Sequence, residues 1–243
     1  MPETQLQFLG HATFKVITPE GKIILVDPWL TNNPFIPAAY QTQDKIDYII
    51  VTHGHDDHFD INMPQIIANT NATFIGNNIC RWYLMEKGVP QKNIQPINLG
   101  GTVNIDEFTR LTMVNAFHIS HINVSETQMT HPHQAVGFVL HLSDGMRIYF
   151  AGDTSVFGDM KLIGEIYKPT IAVLPIGDCY TMGPLEASYA VRLLNVKHVL
   201  PFHYGSYPSL TGTPAELARL TNDIVDLKIH ALKAGEFLTE KIN

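Results

Sequence analysis

Short apolar runs closed by turn residues recur along the chain. "KIILVD" (22–27), "DYIIVTH" (47–53), "ATFIG" (72–76), "VGFVLHL" (136–142), "RIYFAGD" (147–153), "TIAVLP" (170–175) and "HVLPFH" (198–203) are each too short for a helix and predict strands. "SDG" at 143–145 separates two of them and predicts a hairpin, because Asp-Gly accepts the positive φ of a tight turn. Helical patterns lie between strands. Residues 77–88 open on Asn77 as a cap and stop at Gly88, and residues 183–195 carry an early proline. Residues 213–224 place Thr213, Pro214 and Glu216 as a capping box. The one long irregular stretch is 119–134, "ISHINVSETQMTHPHQ", and a loop of that length in a compact chain is more often functional than idle.

Composition narrows the class. The 243 residues are 45% apolar and 16% charged, which suits an α/β protein whose strands are buried on both faces. No repeat, linker or low-complexity segment divides the chain, so residues 1–243 read as a single domain. The 16 Lys and Arg against 23 Asp and Glu give a net charge of −7, which argues against nucleic-acid binding through phosphate contacts. No stretch is long and apolar enough to span a membrane, and "MPETQLQFLGHATF" lacks the basic start and apolar run of a secretion signal. Cys80 and Cys179 are the only cysteines, so no disulfide framework is indicated and a reducing, cytoplasmic setting is expected.

The chemistry gathers where strands end. "DYIIV" runs into His53, His55, Asp57 and His58; "LTMVNAF" into His118; "RIYFA" into Asp153; "HVLPF" into His203; "KIILV" into Asp27. The carboxyl edge of an α/β sheet is where sites are built. Residues two apart in extended backbone point the same way, so His53 and His55 can grip one ion. Asp57 and His58, adjacent and placed at an expected helix start, can turn to a second. Asp153, with two oxygens, is the natural bridge. These are nitrogen and oxygen donors without thiolate, a set that admits Zn²⁺, Mn²⁺ or iron.

The series "HGHDDH", His118, Asp153, His203 resembles the signature of the metallo-β-lactamase superfamily. That resemblance implies a four-layer αβ/βα sandwich, two mixed sheets face to face with helices outside and the site along one edge. It assigns His53, His55 and His118 to a first metal and Asp57, His58 and His203 to a second, with Asp153 bridging. Asp27 would support the site from behind. Two divalent ions are implied, Zn²⁺ first and Mn²⁺ as the alternative. "LGHATF" (9–14), "VDPWL" (26–30), "PIGDCYTMGPLEA" (175–187) and "PFHYG" (201–205) further resemble the small metal-dependent hydrolases related to L-ascorbate-6-phosphate lactonase.

The expected activity is hydrolysis of a small ester, lactone or phosphodiester by a hydroxide shared between two metals, with Asp57 orienting it. Around that centre, His11 is expected to hold a substrate anion. His121, Tyr180 and Met182 are expected to line the pocket, with His131, His133 and Asp178 as further candidates. His141, His198 and His230 sit in or beside apolar strands and are expected to be structural. The partner is a small molecule, and self-association through a strand edge or helix is compatible with the pattern. Two other classes compete: a metal-stabilised binding or regulatory domain without catalysis, and an iron-dependent redox enzyme on the same fold. Retention of Asp57, Asp153 and His203 favours the hydrolase over the first. A histidine-rich motif with no carboxylate substitution favours it over the second.

Overall fold

The computed structural model describes residues 3–125, 128–240 and 242. The chain first builds a six-stranded sheet from β1 (Gln5–Gly10), β2 (Thr13–Ile17), β3 (Ile23–Val26), β4 (Tyr48–Val51), β5 (Thr73–Gly76) and β6 (Ile94–Gln95), lying side by side in that order. It then crosses to β7 (Thr102–Asn104) and β8 (Arg110–Ser120) and forms a separate ribbon from β9 (Asn123–Ser125) and β10 (Gln128–Met129). β11 (His133–His141), β12 (Arg147–Phe150), β13 (Ile171–Pro175), β14 (His198–Phe202) and β15 (Lys228–Ile229) complete a second sheet, in the order β15-β14-β13-β12-β11-β8-β7. The helices are α1 (Met63–Thr70), α2 (Asn78–Glu86), α3 (Met160–Tyr167), α4 (Pro184–Leu194) and α5 (Pro214–Leu220).

Each sheet has antiparallel strands at one end and parallel strands at the other: β3 to β6 are parallel in the first, and β12 to β15 in the second. The near-continuous apolar runs divide by alternation between two faces. Ile24, Val26, Ile50 and Ile75 from the first sheet meet Phe138, Ile148, Phe150, Val173 and Leu200 from the second in a shared inner core. The residues between them point outward. Leu25, Ile49, Val51 and Phe74 pack beneath Met63 and Ile67 of α1 and Cys80 and Leu84 of α2. Val139, Tyr149, Ala172 and Val199 pack beneath α3, α4 and α5, through side chains such as Met160, Val191 and Leu217. The layers are therefore helix, sheet, sheet, helix, the expected four-layer αβ/βα sandwich.

Local chemistry sets the element ends. Asn77 Oδ1 accepts from Cys80 N at 3.0 Å and Thr213 Oγ1 from Glu216 N at 3.2 Å, capping α2 and α5 as read from sequence. Asp144 Oδ1 accepts from Met146 N, and Gly145 takes φ 90° in the β11–β12 turn. Three expectations need correction. Residues 119–134 are not an irregular loop: β8 runs on to Ser120, β9 and β10 pair, and β11 begins at His133. The ribbon has no buried face to give alternation, since Asn123, Val124 and Met129 are all exposed. α5 ends at Leu220, short of 224. Asp57 and His58 lie in a turn held by His58 N and Phe59 N donating to His55 O, and the next helix starts only at Met63. Among the described residues no helix is long and apolar enough to cross a membrane.

Candidate metal centre

The carboxyl ends of β1, β3, β4, β12 and β14 open on one edge of the sandwich. They deliver His11, Asp27, the 53–58 turn, Asp153 and His203 there. His118 arrives from within β8, two residues before that strand ends. Three of these residues have left-handed backbone although none is glycine: His11 (φ 55°), Asp27 (φ 47°) and His203 (φ 55°). Such positions cost on the order of 1–3 kcal/mol each and gather at functional sites, because the sharp turn aims a side chain across the strand end. Sequence carried no signal for them, since the usual glycine marker is missing. The turns also require close approach: a Cβ on Gly177 would lie 2.0 Å from His203 O.

Two groups of ligand atoms result. In the first, His53, His55 and His118 each bring a ring nitrogen within 4.8 Å of the others, with His118 Nε2 3.3 Å from His55 Nδ1. In the second, ring nitrogens of His11, His58 and His203 and a carboxylate oxygen of Asp57 lie equally close together. Asp153 stands between them. Its Oδ2 is 3.8 Å from His53 Nε2, 3.9 Å from His118 Nε2 and 3.3 Å from His203 Nε2, while its Oδ1 is 3.3 Å from His58 Nε2. Tetrahedral ligands at about 2.0–2.2 Å from an ion are about 3.3–3.6 Å apart, so these spacings suit small contraction around cations.

Hydrogen bonds from behind set the tautomers. Asp27 accepts from Thr52 N and Thr52 Oγ1, both at 2.7 Å, and its Oδ2 is 2.9 Å from His58 Nδ1. The His58 proton therefore sits on Nδ1, leaving Nε2 free to ligate. Because Thr52 Oγ1 donates to Asp27, it accepts from His53 Nδ1 at 3.0 Å and turns His53 Nε2 inward. His11 Nε2 lies 2.9 Å from Asp57 Oδ2, and its Nδ1 2.6 Å from Ser206 Oγ. Neither Thr52 nor Ser206 was singled out in the sequence; hydroxyls are too common to mark without the fold.

His53 Nε2, His58 Nε2 and Asp153 Oδ1 are buried with no hydrogen-bond partner. Orphaned buried polar atoms are costly, and three facing one another form a cradle that fits a cation. Charge agrees. Burial would raise the Asp57 and Asp153 carboxyls, but the surrounding imidazoles hold both far below the usual range. Burial, aided by neighbouring imidazoles, lowers His53 and brings His55 down to about 4, keeping both rings neutral and able to ligate. Burial also disfavours charge on His58, yet Asp153 and Asp57 outweigh it and push that ring well above its ordinary value, so a cation bound at Nε2 would take the place of a proton there.

The outlying candidates separate. His121 stacks edge-on to His55 with centroids 4.8 Å apart, and Tyr180 lines a cavity of about 550 Å³ floored by His55 and Asp57. Met182 does not face it. It is 1% exposed and packs in the core beneath α4, because Met182 N is drawn to Thr154 O and the chain turns inward there. The His11 side chain is fully enclosed behind Asp57, so it does not present itself to a substrate anion. His131 is exposed, and its carbonyl lies 3.4 Å from His133 Nδ1. His198 and His230 pair with each other, Nδ1 to Nε2 at 3.0 Å, at the opposite strand ends.

Residues 22–204 match the family described as "Beta-lactamase superfamily domain". A "UPF0173 metal-dependent hydrolase" of Rubrobacter xylanophilus is 44% identical over 236 residues, covering 97% of this chain and 96% of its own. A protein of the same description from Methanosphaera stadtmanae is 41% identical over 239 residues, covering 98% and 100%. Among solved structures, Igni18, a metallo hydrolase of Ignicoccus hospitalis, superposes with a TM-score of 0.84 at 29% identity, covering 97% of each chain. Its fold, its strand-end histidines and these relatives agree: the chain belongs to the metallo-β-lactamase superfamily.

Proposed function

We propose that the protein is a hydrolase acting on a small ester, lactone or phosphodiester with the help of two divalent ions. His53, His55 and His118 would hold one, Asp57, His58 and His203 the other, and Asp153 both. The observation that carries this is the convergence of His53 Nε2, His58 Nε2 and Asp153 Oδ1, buried and without partners, at the seam between the two groups. The donors are imidazole and carboxylate only, which suits Zn²⁺ and also admits Mn²⁺. Ions bound there would supply Lewis acidity to a carbonyl or phosphoryl oxygen and lower the pKa of coordinated water.

The chain's own groups do the remaining work. Asp57 is ionised, and its Oδ2 is fixed by His11 and lies 3.4 Å from His203 Nε2, so its carboxylate is held at the cavity floor. From there it would accept a hydrogen bond from the attacking water and orient it. Ser206 fixes His11, and Asp27 with Thr52 fixes His58 and His53, so proton positions are set before substrate arrives. The relatives' description as metal-dependent hydrolases supports the same reading.

The test is hydrolysis of aryl esters, lactones and phosphodiesters before and after chelation, with reloading by Zn²⁺ or Mn²⁺. Activity that disappears on chelation, returns on reloading, and falls by about 10²–10⁴-fold in Asp57→Asn supports the assignment. Activity untouched by chelation, or retained in Asp57→Asn, overturns it.

A further inference from the structure

The cavity over the centre has walls of unusual chemistry. Trp29, Tyr207 and Pro208 come from the segments after β3 and β14, and Tyr180 from the segment after β13. Trp29 and Tyr207 are braced through Phe35, with ring centroids 6.2 and 5.3 Å from it. Tyr180 is 61% exposed, a large ring left open at the mouth. The polar rim is Asp56, Asn123 and Ser209, and Asn123 Nδ2 already donates to Asp56 Oδ2 at 2.7 Å. Among the described lining residues none is Lys or Arg.

A phosphate, sulfate or carboxylate on the remote part of a substrate would find no cationic side chain here and would face Asp56. Sites that recognise such anions use Arg, Lys or rows of backbone N–H groups. An aromatic ring would instead stack on Trp29, Tyr180 or Tyr207, a contact that adds to the area it buries. We propose that this site takes an uncharged aromatic ester or lactone, its ring held by the three aromatic walls and its reacting carbonyl set down beside Asp57. Substrates that carry a phosphate or sulfate on the part remote from the reacting centre are disfavoured. The assignment of a carbonyl rests on the hydrolase reading; the preference for an uncharged aromatic ligand does not.

The test reads binding rather than turnover. The chain has two tryptophans, so Trp82→Phe leaves Trp29 as the sole tryptophan reporter, excited selectively over the tyrosines. The metal-loaded variant is titrated with 3,4-dihydro-2-quinolinone, an uncharged lactam that resists hydrolysis, and with its 6-sulfonate, the same ring bearing a weakly coordinating anion remote from the carbonyl. Quenching by the lactam is expected at roughly tenfold lower concentration than by the sulfonate, and Tyr180→Ala should weaken the lactam about 3–10-fold. Equal or tighter binding of the sulfonate, no binding of the lactam, or indifference of the lactam to Tyr180→Ala each overturns the proposal. Dihydrocoumarin, the matching lactone, separates the two readings. Lactam binding without lactone hydrolysis defeats the hydrolase and leaves the ligand preference standing. Lactone hydrolysis with the sulfonate preferred does the reverse.

Discussion

Asp27 shows how much rests on one side chain away from the cavity. It is buried at 2% exposure, in left-handed backbone, and satisfies Thr52 N and Thr52 Oγ1 while facing His58 Nδ1. Asn in its place preserves volume but loses a carboxylate oxygen and sets an N–H₂ against one of those donors. Partners of this kind typically contribute about 10–100-fold in metal affinity, so Asp27→Asn should weaken one of two ions by that factor. Titration with a chelating competitor measures it, and circular dichroism checks that the fold survives. Unchanged affinity would show that His58 needs no partner behind it. The sequence made Asp27 visible because an apolar run ended on it. It could not show Thr52 or Ser206, whose value appears only when the turn folds back on the strand end.

At the scale of elements, legibility followed burial. β3, β4, β5, β12, β13 and β14 have both faces covered, so their apolar runs stood out within three residues of their true ends. α1 and α3 were not recognised. They lack capping side-chain hydrogen bonds at Asn62 and Asp159, and their apolar residues merge with neighbouring coil. β8 was cut short because its last residues alternate exposed and half-buried against polar neighbours, which placed His118 after the strand instead of within it. The segments that carry His203 and Asp178 depend on a contact no pattern reveals, the packing of Gly177 against the His203 carbonyl. Gly177→Ala sets a methyl 2.0 Å from that oxygen. Such overpacking typically costs about 1–3 kcal/mol, or roughly 2–12 °C in melting temperature for a chain of this size. Calorimetry of the metal-loaded variant checks this. A melting temperature equal to that of the parent would mean the two turns are free to part.

Across the whole molecule, two sheets that share one core bring five ligand-bearing strand ends and one mid-strand histidine to a single edge. That edge concentrates buried titratable groups, and stability should follow their protonation. In metal-free protein, burial lowers His11, His53 and His118, and holds His55 to about 4. As pH falls from about 6.5 towards 4 the unfolded chain binds protons that the folded chain resists, so stability drops through that window. His58 acts in the opposite sense. Burial disfavours its charge, but Asp153 and Asp57 raise it, so its contribution is full below about 6.5 and is lost as pH climbs through the raised value. Urea unfolding of chelated protein should therefore give a lower midpoint at acid pH than near neutrality. A midpoint that is level across that range would mean the imidazoles are solvated without metal.

The four-layer architecture and the metal-ligand series were both legible from strand ends, because spacing along the chain maps onto position along one sheet edge. The aromatic walls were less so: Trp29 and Tyr180 stood in recognisable motifs, Trp29 without a role, whereas Tyr207 stood in none, and the cavity forms only when the segments after β3, β13 and β14 meet. The central claim is that this edge holds two divalent ions, and the most direct measurement is elemental analysis of purified protein beside His203→Ala. About two ions per chain, falling towards one in the variant with the His53, His55 and His118 group still occupied, is the expected result. No bound divalent metal after supplementation, or a content that His203→Ala leaves unchanged, would contradict it.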